Sequence, residues 1–290
     1  MPDLQRLRNV SLLGDTAWRH LAEDPLLLAV QTFRRLPAPT RAVMSRLVGA
    51  GAGPTAVRHA LAEFVADRPR AAAQALAAAA PGSALGRRVA AELAVQLGDA
   101  ALVPGGVETA GPSVRARELW SRGHLSRAVR VLDGVPRARA QRARLRSEMA
   151  AMGPGFALPA VVPSPAWSGP VRGARPRVLH VLTNSLPRTQ SGYAVRSHAV
   201  LRSQVAAGIE ARAVTRIGYP VTVGLVGAAR EDRVDGVGYR RLLPARLAPT
   251  PAARLVQMTR LLAREVEEFR PDVLHTTTNY QNALVTGAVA

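Results

Sequence analysis

Two patterns of hydrophobic and polar residues divide the chain near residue 150. Before that point, segments rich in Ala, Leu and Arg alternate with short stretches that contain Gly or Pro. Ala, Leu and Arg favour helices, whereas Gly and Pro end them, so this part is predicted to be all helical. The predicted helices are 25–35, 40–48, 55–66, 70–79, 85–97, 114–122, 125–132 and 138–149.

Beyond residue 176 the pattern changes to short apolar runs, which are typical of buried parallel strands. Such runs occupy residues 177–183, 211–215, 238–243 and 272–277. A helix is predicted over 192–207, and another begins at Thr250, with apolar residues at every third or fourth position. Strands that alternate with helices predict an α/β fold with a parallel, Rossmann-like sheet.

A stretch rich in Pro and Gly, residues 151–176, separates the two parts. Proline fixes φ and lacks an N–H, so neither a helix nor a strand pairing is expected to run through it. We therefore predict a helical domain over 1–150, a linker over 151–176 and an α/β domain over 177–290. The α/β domain is interpreted as C-terminally truncated, a fragment, because only four strands precede the final helical pattern.

One part of the helical domain resembles a tetratricopeptide-type repeat. Residues Ala116–Trp120 are followed by Gly123 and Ala128, which matches the large residue, the helix-ending Gly and the small Ala of such repeats. This resemblance predicts an array of helical hairpins. An irregular helical domain is the alternative.

The basic charge has two interpretations. All 39 basic residues are Arg, and the formal net charge is +19. The absence of Lys beside abundant Ala, Gly and Pro fits a composition bias of the whole chain, but the charge also suits contact with acidic lipid or phosphate. Nucleic acid is not an expected partner, because no helix-turn-helix, aromatic-studded sheet or zinc-ligand set accompanies the charge.

Several classes of site and location are excluded by what the sequence lacks. Without Cys there are no disulfides, thiolate metal sites or Cys nucleophiles. No cluster of His, Asp and Glu has ligand spacing, so no metal is expected. The first residues lack the apolar core of a signal peptide, and no apolar run reaches the roughly 18 residues of a membrane span. We expect a cytoplasmic protein, with peripheral contact at an anionic inner membrane face as an option.

The candidate site lies in the loops that follow the predicted strands, where open α/β sheets bind ligands. The loop at 184–193 contains one Gly and matches neither G-x-G-x-x-G nor a Walker A loop. The main sequence signals for dinucleotide binding and for P-loop nucleotide binding are therefore missing. Its Ser191-Gly192 pair opens onto a helix, whose N–H groups and dipole favour a phosphate or a sugar hydroxyl. Alternatively, Gly192 only permits a tight turn.

Other polar side chains are placed near the same strand ends. Arg196, one turn into the helix, could clamp a phosphate, and Arg216 and Asn279 could hydrogen-bond a sugar. Each could equally serve packing or lie at the surface. His180 and His198 fall among apolar residues and are expected to be core histidines.

Residues 177–290 resemble the N-terminal half of a GT-B glycosyltransferase of the family-4 type. The resemblance depends on the strand RVLHVLTNSLP, the segment SGYAVRSHAVLRSQVAAGIEARAVTR and the motif FRPDVLHTTT, in that order. It implies transfer of a sugar, as by a hexosyltransferase, from a nucleotide-sugar donor to a sugar or lipid-linked acceptor. It also implies retention of anomeric configuration, with no cofactor and no metal.

The same resemblance assigns roles to residues. Gly192 takes the Gly-loop position, and His275 takes the first position of an H-x-H pair whose second position is Thr277 here. The family's catalytic-type His and its E-x7-E donor motif would fall beyond Ala290, so the chain by itself is expected to be inactive. The candidate substrate-binding residues are Asn184, Ser191, Gly192, Tyr193, Arg196, Arg216, His275 and Asn279.

A non-catalytic alternative stays open. In it, the helical domain docks a protein partner and the α/β part is a remnant.

Overall fold

The computed structural model describes residues 2–50, 56–103, 105–161 and 175–290. Its helices are α1 (Pro2–Glu23), α2 (Pro25–Arg35), α3 (Ala38–Ala50), α4 (Ala56–Val65), α5 (Pro69–Ala77), α6 (Ala84–Leu97), α7 (Pro112–Ser121), α8 (Leu125–Arg130), α9 (Arg139–Met152), α10 (Gly192–Ala206), α11 (Pro251–Phe269) and α12 (Tyr280–Gly287). Its strands are β1 (Arg177–Leu182), β2 (Glu210–Thr215), β3 (Glu231–Val234), β4 (Val237–Arg241) and β5 (Val273–Thr276). The chain divides into a helical unit, Arg19–Met149, and an α/β unit, Met1–Trp18 with Ala150–Ala290.

The helical unit has two apolar cores. The first packs side chains of α4, α5 and α6, among them Phe64, Leu76 and Leu93. The second packs α7, α8 and α9 and includes Leu119 and Leu145. The predicted helices of this region are present, with ends that differ by a few residues. Helices α7 and α8 follow one another across a tight turn at residues 122–124.

A buried ion-pair network joins three segments of the helical unit. The Asp24 carboxylate accepts hydrogen bonds from Arg88 at 2.8 Å and from Arg117 at 3.0 Å, and Arg117 also donates to Glu92 at 3.0 Å. Burial alone would raise the pKa of Asp24, but the two guanidinium groups and the Leu27 amide outweigh it and lower the pKa. The charges are therefore paired, as buried charges must be.

The α/β unit contains one five-stranded sheet within the described residues, in the order β3-β4-β2-β1-β5. Strands β4, β2, β1 and β5 are parallel, and β3 is antiparallel to β4. The predicted α/β class is confirmed, and so is parallel pairing of the four predicted strands. The prediction of a fully parallel sheet is wrong because β3 was not recognised.

Strand β3 and strand β4 form a hairpin through a two-residue turn. Asp235 and Gly236 both have positive φ, 47° and 80°, and join Val234 to Val237. Such a turn follows the twist of paired strands, and Asp-Gly is a favoured sequence for it. The Asp-Gly pair between apolar residues is thus the signal that would have predicted β3.

Helices cover both faces of the sheet. On one face α10 packs through Leu201 against Leu182 and Tyr239. On the other face α11 and α12 pack through Leu262 and Val285. The sheet is therefore buried between two helical layers, which is the doubly wound arrangement of open α/β sheets.

The unit boundaries differ from the predicted domain limits at two places. The start of α1 packs with the α/β unit, where the Asn9 side-chain amide donates to the carbonyls of Val226 and Ala228, at 2.8 Å each. Residues 153–161 also pack there, through Phe156 and Leu158. Pro and Gly content indicated a linker, but it does not reveal that these apolar side chains complete a core. The rest of the predicted linker, 162–174, lies outside the described residues.

Within the described ranges, no helix is both long enough and apolar enough to cross a lipid bilayer.

Candidate functional site

The chain topology places the candidate site beside β1. From β1 the chain crosses through α10 to β2 on one side, and α11 later returns it to β5 on the other side. In open α/β sheets a crevice opens at such a reversal, outside the carboxyl ends of the strands. The segments at this edge are residues 183–191 after β1 and residues 277–279 after β5.

The loop after β1 is held by buried side chains. The Tyr219 hydroxyl donates to the Ser185 carbonyl at 3.0 Å, and Thr189 lies 2.7 Å from the same hydroxyl. The Arg241 guanidinium, whose side chain is fully buried, donates to the Ser185 hydroxyl at 2.6 Å and to the Leu186 carbonyl at 3.0 Å. The loop backbone is therefore fixed before any ligand arrives.

The charge of Arg241 is balanced by Asp232 on β3. Arg241 donates to the Asp232 carboxylate at 2.8 Å, and Arg188 from the loop donates to it at 2.8 Å as well. Burial alone would raise the pKa of Asp232, but the hydrogen bonds from Arg188 and Arg241 outweigh it and lower the pKa. We call Ser185, Arg188, Tyr219, Asp232 and Arg241 the loop anchor.

The start of α10 faces open space. Ser191 caps the helix, since its hydroxyl accepts a hydrogen bond from the Ala194 amide at 3.2 Å. It also contacts the Asn184 side-chain oxygen at 3.5 Å. The backbone of Gly192 is not in the left-handed region, and a Cβ added there would meet no atom within 4 Å. The backbone therefore does not require glycine at this position, and the space in front of it is free to hold a ligand.

Hydroxyl and amide groups from both segments meet at the same edge. The Tyr193 hydroxyl accepts hydrogen bonds from the Thr183 amide at 3.3 Å and from the Thr277 hydroxyl at 3.5 Å. The Thr183 hydroxyl accepts from the side-chain amides of Asn279 at 3.1 Å and Asn282 at 3.2 Å. These five residues form what we call the hydroxyl–amide cluster. Its groups are neutral, so it suits hydrogen bonding to another neutral hydroxyl.

The backbone after β5 is strained at this cluster. Thr278 and Asn279 both have positive φ, 56° and 63°, and the ψ of Asn279 is 147°. A β-branched residue such as Thr pays a steric penalty at positive φ, and the φ/ψ pair of Asn279 lies close to a region that is adopted essentially by Gly. Asn279 then caps α12 by accepting from the Asn282 amide at 2.9 Å. Strain of this kind persists only where surrounding contacts enforce it, and it concentrates at functional sites.

Two predicted arginines lie near this edge but outside the cluster. Arg196 is exposed on the first turn of α10. Arg216 directly follows β2, its amide donates to the Leu182 carbonyl at 2.8 Å, and its guanidinium carbon lies 5.9 Å from the Tyr219 ring centre. Arg196 was predicted one turn into the helix and Arg216 after a strand end, and both lie at those positions.

His275 lies within strand β5 rather than in the loop that follows it. It is paired in register with His180, two residues before the end of β1, and the two ring centres are 4.4 Å apart. The His180 ring nitrogen lies 2.8 Å from the Gln204 side-chain oxygen, and burial lowers the pKa of His180 to about 4. The strand register therefore sets the position of the His275 ring beside His180.

The two expected core histidines are confirmed. His180 and His198 are both buried. His198 contacts the Tyr239 hydroxyl at 2.7 Å and Asp235 at 3.0 Å, so both of its ring nitrogens have partners.

The loop anchor is the main feature that sequence inspection missed. A single sequence gives no sign that Arg241, at the end of a strand in an arginine-rich chain, is buried. Thr183 and Asn282 were also missed, although polar residues that follow a strand are a usable signal.

A separate cavity of the α/β unit lies at the opposite ends of the strands from the candidate site. This cavity, of about 310 Å³, lies near Gly208, Arg212 and Phe269, at the amino end of β2, whereas the cluster lies at the carboxyl ends of the strands. Among the described residues, no group of His, Asp and Glu is arranged to hold a metal ion.

The chain was compared with protein-family models, with curated proteins and with solved structures, and no match was found. The class of protein established by the fold is therefore an α/β protein with a mainly parallel sheet.

Proposed function

We propose that the α/β unit is the acceptor-side lobe of a nucleotide-sugar-dependent glycosyltransferase of the GT-B kind. The observation that carries the proposal is the hydroxyl–amide cluster beside the open space at Gly192, at the reversal point of the sheet. The proposed ligand is a sugar or a lipid-linked sugar acceptor.

Neutral hydrogen-bonding groups favour a polyol over a charged ligand. Tyr193, Thr277 and Asn279 present hydroxyl and amide groups that can both donate and accept. A sugar hydroxyl also donates and accepts, so it can replace the water that would otherwise solvate these groups. The fixed positions of the cluster reduce the entropy lost when a ligand binds.

Phosphate binding would use a different part of the same edge. The first N–H groups of α10 have no partner within the helix, and the helix dipole favours an anion there. Arg196 lies one turn away and is exposed. In a transfer reaction the negative charge on the leaving diphosphate grows as the glycosidic bond breaks, and fixed N–H groups with a guanidinium would stabilise that charge.

His275 has no assigned part in this chemistry. Its ring centre lies 4.4 Å from that of His180, with the two ring planes tilted by 59°, and the strand register pairs the two residues. The residues proposed to contact the ligand are Asn184, Ser191, Gly192, Tyr193, Arg196 and Asn279, with Thr183 and Thr277 added.

The test is a binding screen on the chain itself. Nucleotide sugars and simple glycosides are titrated against it by calorimetry and ligand-observed NMR. We expect binding that Gly192→Val weakens at least about tenfold, because its branched side chain fills the open space. Gly82→Val is the matched control, since a Cβ at Gly82 also meets no atom within 4 Å. Absence of binding by every sugar, or equal binding by the Gly192 variant, would contradict the proposal.

A second candidate function concerns the helical unit. A groove of about 400 Å³ lies between residues 132–136 and α9, and Arg139, Arg142 and Arg146 line it. Arg142 pairs with Asp133 at 2.5 Å, and Arg139 and Arg146 on the same helix face favour an acidic protein segment as the partner. An acidic peptide labelled for fluorescence anisotropy should bind, and Arg139→Glu with Arg146→Glu should abolish binding. Unchanged binding by this double variant would exclude the groove.

A further inference from the structure

One face of helix α1 is fixed to the α/β unit. Asn9 is buried and donates to two carbonyl groups, and Leu12 is buried in a core with Val221 and Leu247. Gln5 donates to Asn9 and accepts from Arg230, at 2.8 and 2.9 Å. These contacts determine which face of the helix points outward.

The outward face of α1 is apolar. Leu4, Leu7, Val10 and Trp18 are 65, 65, 56 and 68 % exposed. At about 100° per residue these four side chains fall within an arc of about 120°, and between Leu4 and Trp18 the other residues in this arc are Ser11 and Gly14. We call Leu4, Leu7, Val10 and Trp18 the outer stripe. Soluble proteins rarely expose a contiguous apolar surface without a partner for it.

Cationic residues border the outer stripe. By the same helical geometry Arg6 lies on one side of the stripe and Arg8 on the other, and both are exposed. Between Leu4 and Trp18, Asp15, which is partly exposed, is the acidic residue next to the stripe. The whole chain has a formal net charge of +19. An apolar arc with arginines at its borders is the pattern of a helix that lies in a membrane interface.

We propose that the outer stripe binds α1 to the surface of a bilayer that contains anionic lipid. Leu4, Leu7 and Val10 would enter the boundary between headgroups and acyl chains, and Trp18 would take the interfacial position that indole side chains favour. Arg6 and Arg8 would pair with lipid phosphates. This inference does not depend on the glycosyltransferase proposal.

Charge argues against a second copy of the chain as the occupant. Each copy of the chain has a formal net charge of +19, so two copies that met through the outer stripe would repel each other at long range. Like charges that face each other oppose association, whereas an anionic lipid surface attracts the same groups. The membrane is therefore the occupant to which charge complementarity points.

The experiment measures binding of the full chain to vesicles by co-sedimentation. One vesicle type is phosphatidylcholine alone, and the other contains about one third phosphatidylglycerol. We expect strong binding to the anionic vesicles and a loss of about tenfold or more in Leu4→Asn/Leu7→Asn, because two apolar side chains no longer leave water. The matched control is Val43→Asn/Leu47→Asn on α3, whose original side chains are 51 and 62 % exposed; its binding should equal that of the unmodified chain.

Two further measurements separate the alternatives. Fluorescence should shift to shorter wavelength on anionic vesicles, and Trp18→Phe should remove most of that shift. Arg6→Gln/Arg8→Gln should weaken binding to anionic vesicles. The proposal is overturned by equal vesicle binding in Leu4→Asn/Leu7→Asn, or by equal binding to both vesicle types. It is also overturned if light scattering shows a dimer that this variant converts to a monomer, since the stripe would then belong to a second copy.

Discussion

Replacing Arg241 with Met removes the buried guanidinium that fixes the loop after β1. Met has a similar length and stays apolar, so the variant mainly deletes charge and hydrogen bonds. Three partners lose a donor: the Asp232 carboxylate, the Ser185 hydroxyl and the Leu186 carbonyl. Breaking a buried ion pair from one side typically costs about 3–5 kcal/mol, because the other charge stays buried without its partner. Arg188 still donates a hydrogen bond to Asp232, so we expect the free energy of unfolding to fall by about 3 kcal/mol.

Amide hydrogen exchange measures this loss locally. The opening free energies of residues 184–191 and of β4 should fall together, because the same side chain joins them. Arg233→Met is the matched control, since Arg233 lies on the neighbouring strand, is 69 % exposed and pairs with Glu231 at 3.7 Å. A surface pair of this kind contributes at most about 1 kcal/mol.

The pH dependence gives an independent check. The folded-state pKa of Asp232 is depressed, so its contribution to stability is present above its ordinary pKa and is lost as pH falls through the folded value. The difference in the free energy of unfolding between the native chain and Arg241→Met should therefore be largest near neutral pH and should become smaller in acid. Adding Asp232→Asn to the variant should recover part of the stability. A loss below about 1 kcal/mol, or unchanged exchange in the loop, would refute the assignment of Arg241 as the anchor.

Further predictions concern both units. Arg117→Met should destabilise the helical unit by about 3–5 kcal/mol in urea unfolding, because it leaves Asp24 without one of its two guanidinium partners; a neutral effect would show that the network is dispensable. The pKa of His180 is lowered from 6.5 to about 4 in the folded protein, so the fold loses stability as pH falls through this range. His180→Leu removes this contribution, so the variant should lose less stability than the native chain between pH 6.5 and about 4; parallel pH profiles would contradict this. Thr278→Gly should raise stability by up to about 1 kcal/mol in thermal unfolding by relieving its left-handed backbone, and a lower melting temperature would show that no strain is stored there.

Much of the α/β unit could be predicted because its signals are local. The apolar runs of β1, β2, β4 and β5 and the Thr250 cap of α11 can be read from short windows of sequence. Strand β3 was overlooked although its Asp235-Gly236 turn is a local signal. By contrast, α1 has an apolar face that points outward and a docked face that includes Asn9, so its pattern does not show which side packs.

The candidate site was predicted in part for the same reason. Ser191, Gly192, Tyr193 and Asn279 follow strand ends, and chain order alone places such residues at one edge of a parallel sheet. His275 was predicted on the strand that leads to this edge, and it lies on β5, but the sequence did not show that the register between β1 and β5 pairs it with His180; its contact with a ligand stays a prediction.

By itself, the sequence determined most of the elements, with α1 and β3 as exceptions, the α/β class and the edge at which polar residues gather, since these follow from periodicity, capping residues and strand-helix order. Only the tertiary structure decided which side chains meet there. Arg241, Asp232 and Ser185 are far apart in the chain, and whether a charged side chain is buried depends on partners that no local pattern identifies. The same holds for the exposed stripe of α1, because exposure is a property of what the rest of the fold leaves uncovered.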